Sequence, residues 1–104
     1  MTAVSSSINP LFLVPPNVTV TSSASGPVVE DEDSVSLNCE VDSNPESEIA
    51  WRKEGNRRVL GSSPLLDLGV VSRTDIGTYT CTATNQLGSS PGSIDVVTHC
   101  KYDL

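Results

Sequence analysis

The chain has 104 residues, with 13 acidic and six basic side chains and a formal net charge of −7. This length suits one domain, and the negative charge disfavours binding to nucleic acid or to an anionic membrane surface. Valine, threonine and serine are abundant whereas alanine is scarce, which favours strands and turns over helices. The composition therefore predicts a single all-β domain.

The two ends of the chain are expected to lie outside this domain. Residues 1–10 are small, polar and aperiodic, so they are assigned to a leader or an upstream linker. The domain is expected over residues 11–98, and residues 99–104 are expected to lead toward a following domain. The longest apolar run, Leu11 to Val14, is far shorter than the roughly 18 residues of a membrane span. Any membrane attachment would therefore need a span outside this sequence.

Polar and apolar residues alternate in several short segments that are separated by turn residues. In chain order, the predicted strands are Asn17–Thr21, Ser34–Val41, Glu48–Lys53, Arg57–Leu60, Leu65–Gly69, Thr78–Thr84 and Ser93–Thr98. Turns are predicted at 43–45, 61–64 and 88–92. About seven short strands that are separated by such turns predict a β-sandwich or a barrel.

Three cysteines in so short a chain indicate an oxidising compartment, and the odd number leaves one of them without a partner in this sequence. Cys39 and Cys81 fall on the inward side of their predicted strands, so they can meet across the core of a sandwich. Cys100 follows the last predicted strand, and we expect it to be a free thiol within this sequence.

An aromatic residue accompanies each of the inward cysteines. Trp51 lies 12 residues after Cys39, and Tyr79 lies two residues before Cys81 in the segment Asp75-Ile76-Gly77-Thr78-Tyr79-Thr80-Cys81. This arrangement resembles the hallmarks of the immunoglobulin fold. The resemblance implies an immunoglobulin-like β-sandwich of two antiparallel sheets, in which a Cys39–Cys81 disulfide packs against Trp51.

The same resemblance gives roles to several further residues. It implies that the Tyr79 hydroxyl bonds to the backbone near Asp75 and that Gly77 permits the close approach at this corner. Leu68 looks like part of the family's strand E. Because only Gly61 to Pro64 precedes that strand, strand D should be short or absent, which excludes a variable-type domain. The segments 49–55 and 81–88 resemble I-set and nephrin-like domains of tandem adhesion receptors.

Neither catalysis nor metal binding is expected. A Cys–His or Ser–His pair would need His99, the only histidine, which sits beside Cys100 in a terminal extension that cannot hold it rigidly. Zinc bound by these two residues together with Cys39 and Cys81 would lack the paired cysteine spacing of such sites. The acidic run Glu30–Asp33 lacks the spacing of a calcium loop and is expected to be solvated. We therefore predict no cofactor, no metal and no small-molecule substrate.

Asn17-Val18-Thr19 is the only N-glycosylation sequon, and Asn17 alternates outward against Val18. On a secretory route, Asn17 is therefore expected to carry a glycan.

A second surface feature is an uneven distribution of positive charge. Four of the six basic residues fall on the predicted hairpin over 48–60. Because Trp51 and Cys81 point inward, their strand neighbours should point outward. The partner-binding candidates are Ala50, Arg52, Arg57, Arg58, Thr80 and Thr82. They predict a flat, polar and basic sheet face that meets an acidic protein surface; an ordinary solvated sheet is the alternative.

These features together predict an extracellular domain of a multi-domain cell-adhesion or recognition receptor. The receptor is expected to be a single-pass membrane protein that binds the same or another cell-surface receptor. Two alternatives remain open. One is a structural spacer in a tandem array, and the other is an intracellular muscle-type I-set domain with reduced cysteines.

Overall fold

The computed structural model describes residues 13–24 and 28–99. In chain order its strands are β1 (Val14–Ser22), β2 (Val28–Val29), β3 (Ser34–Asn44), β4 (Glu48–Lys53), β5 (Leu65–Val70), β6 (Gly77–Asn85), β7 (Gly88–Val96) and β8 (Thr98–His99). Within these ranges, the one helical element is a 3-10 turn over Arg73–Asp75. No helix of the described residues is long and apolar enough to cross a membrane.

Two antiparallel three-stranded sheets form a sandwich. One sheet has the order β1-β3-β5 and the other has the order β4-β6-β7, while β2 and β8 make a short parallel pair. The predicted fold class, an all-β immunoglobulin-like sandwich in which strand D is short or absent, is confirmed: no strand lies between β4 and β5 among the described residues.

The core follows directly from the alternation along β3 and β6. Val35, Leu37 and Cys39 are buried on β3, and Tyr79, Cys81 and Ala83 are buried on β6. Between the sheets lie the fully buried side chains of Trp51 and Val71, and half-buried Leu68 packs against the same cluster. Since successive strand residues point to opposite faces, the residues between these positions form the two outer surfaces.

The predicted strand over Arg57–Leu60 is wrong. The chain returns beside β4 only at one point, where the Leu60 N–H donates to the Trp51 carbonyl at 2.7 Å and Gly61 forms an isolated bridge with Trp51. Three residues later, the Pro64 carbonyl already accepts from the Cys39 N–H of the opposite sheet at 2.8 Å. The connection crosses between the sheets too soon to extend beside β4.

The predicted turn over 88–92 is also wrong, because these residues begin β7. The hairpin turn lies at Gln86 and Leu87, and Asn85 pairs with Gly88 across it. Pro91 is tolerated in this strand because β7 is at the edge of its sheet. The two-residue strands β2 and β8 are too short to show any periodicity in the sequence, and they were not predicted as a pair.

Candidate functional site

A disulfide joins Cys39 on β3 to Cys81 on β6 and so links the two sheets, with Cα atoms 6.3 Å apart. Trp51 is fully buried beside the cysteines, and its Nε1 donates a hydrogen bond to the Ser63 carbonyl at 3.0 Å. This bond satisfies the one polar atom that the indole brings into the core. The arrangement fixes the position of β4, whose outward residues form the surface described below.

Tyr79 holds the corner before β6. Its hydroxyl donates to the Asp75 carbonyl at 2.7 Å, and the Asp75 carboxylate accepts from the Ser72 N–H at 2.9 Å. Burial, followed by the negative charge of Asp75, raises the pKa of Tyr79 above the ordinary value of 10.0. Gly77 has a φ of 154°, and a side chain at this position would meet the Lys53 Cε atom. The residues assigned to this corner by the sequence thus lie together.

The outward surface of β4, β6 and β7 is rich in hydroxyl groups. Ala50 pairs with Thr82, and Arg52 pairs with Thr80, so the structure brings these four candidates together. We call this surface the threonine face; its residues are Glu48, Ala50, Arg52, Thr78, Thr80, Thr82, Thr84, Ser89, Pro91, Ser93 and Asp95.

Side-chain hydrogen bonds order the threonine face across the β6–β7 pair. Thr80 and Ser93 hydroxyls lie 3.0 Å apart, and the Thr78 hydroxyl donates to the Asp95 carboxylate at 2.6 Å. Ordered hydroxyls lose little conformational freedom when a partner binds. The residues of β7 were not among the predicted candidates, although the polar alternation of Ser93 and Asp95 around Ile94 was a signal that could have found them.

Arg57 and Arg58 lie outside the paired strands that form the threonine face. Both are exposed in the irregular segment after β4, where the Arg58 N–H donates to the Asn56 side chain at 3.0 Å. Lys53 points the other way, because its Nζ lies 5.7 Å from the Tyr79 ring centroid and donates to the Thr74 carbonyl. Arg52 is therefore the one basic side chain that the structure places on this face.

The remaining candidate residues lie elsewhere. Asn17 is exposed on the opposite sheet and pairs with Asp42. The acidic run from Glu30 to Asp33 forms a loop in which the Asp33 carboxylate accepts from the Val29 N–H and Glu30 pairs with Arg73 at 3.1 Å. Among the described residues, no group of three or more potential ligands could hold a metal ion. Cys100 lies outside the described residues, and its state stays a prediction.

Comparison with known proteins agrees with this architecture. The family described as "Immunoglobulin domain" matches residues 15–85. The cell surface glycoprotein MUC18 of Rattus norvegicus is 36% identical over 66 residues, which are 64% of this chain and 10% of that protein. The irregular chiasm C-roughest protein of Drosophila melanogaster is 43% identical over 67 residues, which are 64% of this chain and 8% of that protein. The chain thus spans a tenth or less of these relatives.

Among solved structures, the full ectodomain of mouse nectin-like molecule 4, with domains Ig1 to Ig3, superposes with a TM-score of 0.74 at 26% identity. The match covers 86% of this chain and 32% of that ectodomain.

Proposed function

The chain belongs to the immunoglobulin domain family, and we propose that it acts by binding another protein, as one domain of a cell-adhesion or recognition receptor. No bond is made or broken in this function. The observation that carries the proposal is the threonine face, where a rigid sheet holds Arg52 among ordered hydroxyl groups. Polar surfaces of this kind suit recognition in which charge selects the partner and hydrogen bonds fix its orientation.

The proposed location is extracellular, in a receptor attached by a single membrane span. The Cys39–Cys81 disulfide supports this location because structural disulfides persist in oxidising compartments. The cell-surface relative MUC18 supports it as well.

The position of Asn17 favours the threonine face over the opposite sheet as the binding surface. Asn17 and Thr19 of the sequon lie on the outer surface of β1, beside Asp42 and Glu40 of β3. A glycan on Asn17 would cover the part of that sheet beside β1 and leave the threonine face free. The threonine face carries Arg52 together with Glu48 and Asp95, so we place an acidic group of the partner opposite Arg52, the cation of this face.

Arg52→Glu tests this function. Dense display of the chain on beads makes weak binding measurable through avidity, and the readouts are bead aggregation and capture of soluble ectodomains of cell-surface proteins. We expect wild-type beads to bind and the Arg52→Glu beads to bind at least roughly threefold less, mainly through slower association. The difference should shrink as salt rises, because exposed charges are screened over about 8 Å at physiological ionic strength.

Arg58→Glu is the matched control, since it makes the same charge change in the irregular segment away from the threonine face. A smaller effect of Arg58→Glu supports the face as the site. Equal binding by wild type and Arg52→Glu at both low and high salt would contradict the proposal and would favour the spacer role.

A further inference from the structure

One side of the sandwich is open between the second half of β3 and the beginning of β4. The β3–β5 ladder ends at Asn38 and Leu65, and no described strand pairs with residues 40 to 43 of β3 on that side. The opening has a volume of about 610 Å³. The half-buried side chains of Val41 and Ile49 line it, and Ser43, Glu46, Ser47 and Glu48 are among its other lining residues.

The backbone of both strands presents hydrogen-bonding groups to this opening. The Cys39 N–H points away from β1, since it donates to the Pro64 carbonyl at 2.8 Å. Backbone groups repeat their direction every second residue, so those of Val41 and Ser43 point to the open side as well. On β4, Trp51 bonds to Gly61 away from β6, and the backbone of Ile49 has the same direction. An unpaired edge of this kind is a template for an added strand.

The charge around the opening determines which kind of segment can pair with β3. Glu46 and Glu48 line it, and Glu40 and Asp42 project from the outer surface of β3. No lysine or arginine precedes Arg52 in the sequence. Two copies of the chain that paired through this edge would bring carboxylates against carboxylates, which opposes association. A segment with positive charge is attracted instead.

We propose that this open edge binds an extended segment of a partner protein in which apolar residues alternate with lysine or arginine. The segment adds to β3 as a strand and takes its hydrogen bonds from Val41 and Ser43. Because side chains alternate across a strand, the apolar ones enter the opening against Val41 and Ile49, and the basic ones face Glu40 and Asp42. This site shares Glu48 with the threonine face, but it does not depend on the function proposed for that face.

A synthetic peptide of alternating valine and lysine tests the proposal with the full chain. We expect saturable binding in a titration followed by amide resonances. Hydrogen exchange at the Val41 and Ser43 amides should slow by roughly tenfold or more in the complex, since an exposed N–H becomes hydrogen-bonded. A control peptide, N-methylated at alternate residues on the pairing side, keeps its charge but lacks the N–H donors. It should lose most of the binding.

Glu46→Lys tests the charge requirement. It should weaken peptide binding by roughly fivefold, in line with exposed charge pairs. Glu54→Lys makes the same charge change in the turn after β4 and should leave binding unchanged. Absence of binding, or equal binding of the N-methylated peptide, would overturn the proposal. Slow exchange at Val41 and Ser43 in the free chain would also overturn it, because the edge would then be covered by this chain or by a second copy.

Discussion

Tyr79 shows how one side chain controls which charges are available on the surface. Its ring is buried, and its hydroxyl donates to the Asp75 carbonyl at 2.7 Å. Lys53 extends over that ring toward the Thr74 carbonyl. The corner before β6 therefore engages Lys53, while the neighbouring Arg52 remains exposed on the other side of β4. Alternation along one strand thus gives two adjacent cations different roles.

Replacing Tyr79 by phenylalanine should destabilise the domain without disturbing the threonine face. The change removes one hydrogen bond, so the free energy of unfolding should fall by about 1 kcal/mol. Urea denaturation measures this loss. Binding in the bead assay should stay at the wild-type level, because the Tyr79 ring lies on the inner side of β6. A loss of binding by the folded variant would mean that the corner itself belongs to the binding surface.

The raised pKa of Tyr79 makes stability depend on alkaline pH. The folded state favours the protonated phenol, because burial and the charge of Asp75 oppose its ionisation. The stabilisation is fully present below the ordinary pKa of 10.0 and is lost as pH rises through the higher pKa of the folded state. Unfolding free energies measured between about pH 9 and 11 should fall more steeply for the wild type than for Tyr79→Phe. Parallel curves would contradict this assignment.

At the scale of strands, β1 of one sheet packs closely against β7 of the other. Gly92 lies under Val18 and Val20, and a Cβ atom built on Gly92 would be 2.5 Å from Val18 Cγ1 and 3.0 Å from Val20 Cγ2. Nearby, the Ser90 hydroxyl donates to the Pro16 carbonyl at 2.7 Å. A residue without a side chain is therefore required for β1 to close this side of the sandwich.

Gly92→Ala should consequently cost about 1 to 3 kcal/mol of unfolding free energy, the usual range for overpacking in a core. Gly61→Ala is the matched control, since a Cβ atom there would lie at an ordinary distance of 3.5 Å from Leu66 Cδ1. Thermal denaturation of both variants measures the difference. If the two substitutions had equal effects, the contact between β1 and β7 would be less close than described.

The strands with one buried face were predictable, because period-two alternation records burial. It placed β3 and β6 with the correct residues inward, including both cysteines of the disulfide. The alternation pattern wrongly predicted a strand over the segment 57–60. The path of this segment is set by the connection that follows it, which bonds first to Trp51 of one sheet and then to Cys39 of the other, and not by its own residues. The pattern also failed at 88–92, where Pro91 suggested a turn but an edge position tolerates proline. The open edge was beyond prediction, since it depends on where β5 begins relative to β3.

For the whole molecule, the two outer surfaces differ in charge. Glu40, Asp42 and Asp67 lie on the exposed surface of the β1-β3-β5 sheet, which has no lysine or arginine in its strands. The threonine face, on the other side of the sandwich, carries Arg52 together with Glu48 and Asp95. A domain with such unequal surfaces can bind one partner through a face and another through an edge, provided that the sheets keep a fixed relation to each other.

The Cys39–Cys81 disulfide provides that fixed relation, and its removal should affect the whole domain. It spans 42 residues of sequence, and loss of such a bond typically costs about 2 to 5 kcal/mol. We expect Cys39→Ala to lower the free energy of unfolding by this amount in urea denaturation. A tryptic digest without reduction should yield peptides linked through Cys39 and Cys81, while a thiol reagent labels Cys100 in the native chain.

Cys100→Ala is the control for the loss of a cysteine, and it should leave stability nearly unchanged, because Cys100 follows the last predicted strand. The opposite outcome is a native chain that carries three reactive thiols and is still as stable as we expect for the disulfide-bonded form. In that case the sandwich would not need the Cys39–Cys81 disulfide. The proposed extracellular location would then lose its chemical support, and the intracellular muscle-type alternative would be favoured, since reduced cysteines are normal in the cytosol.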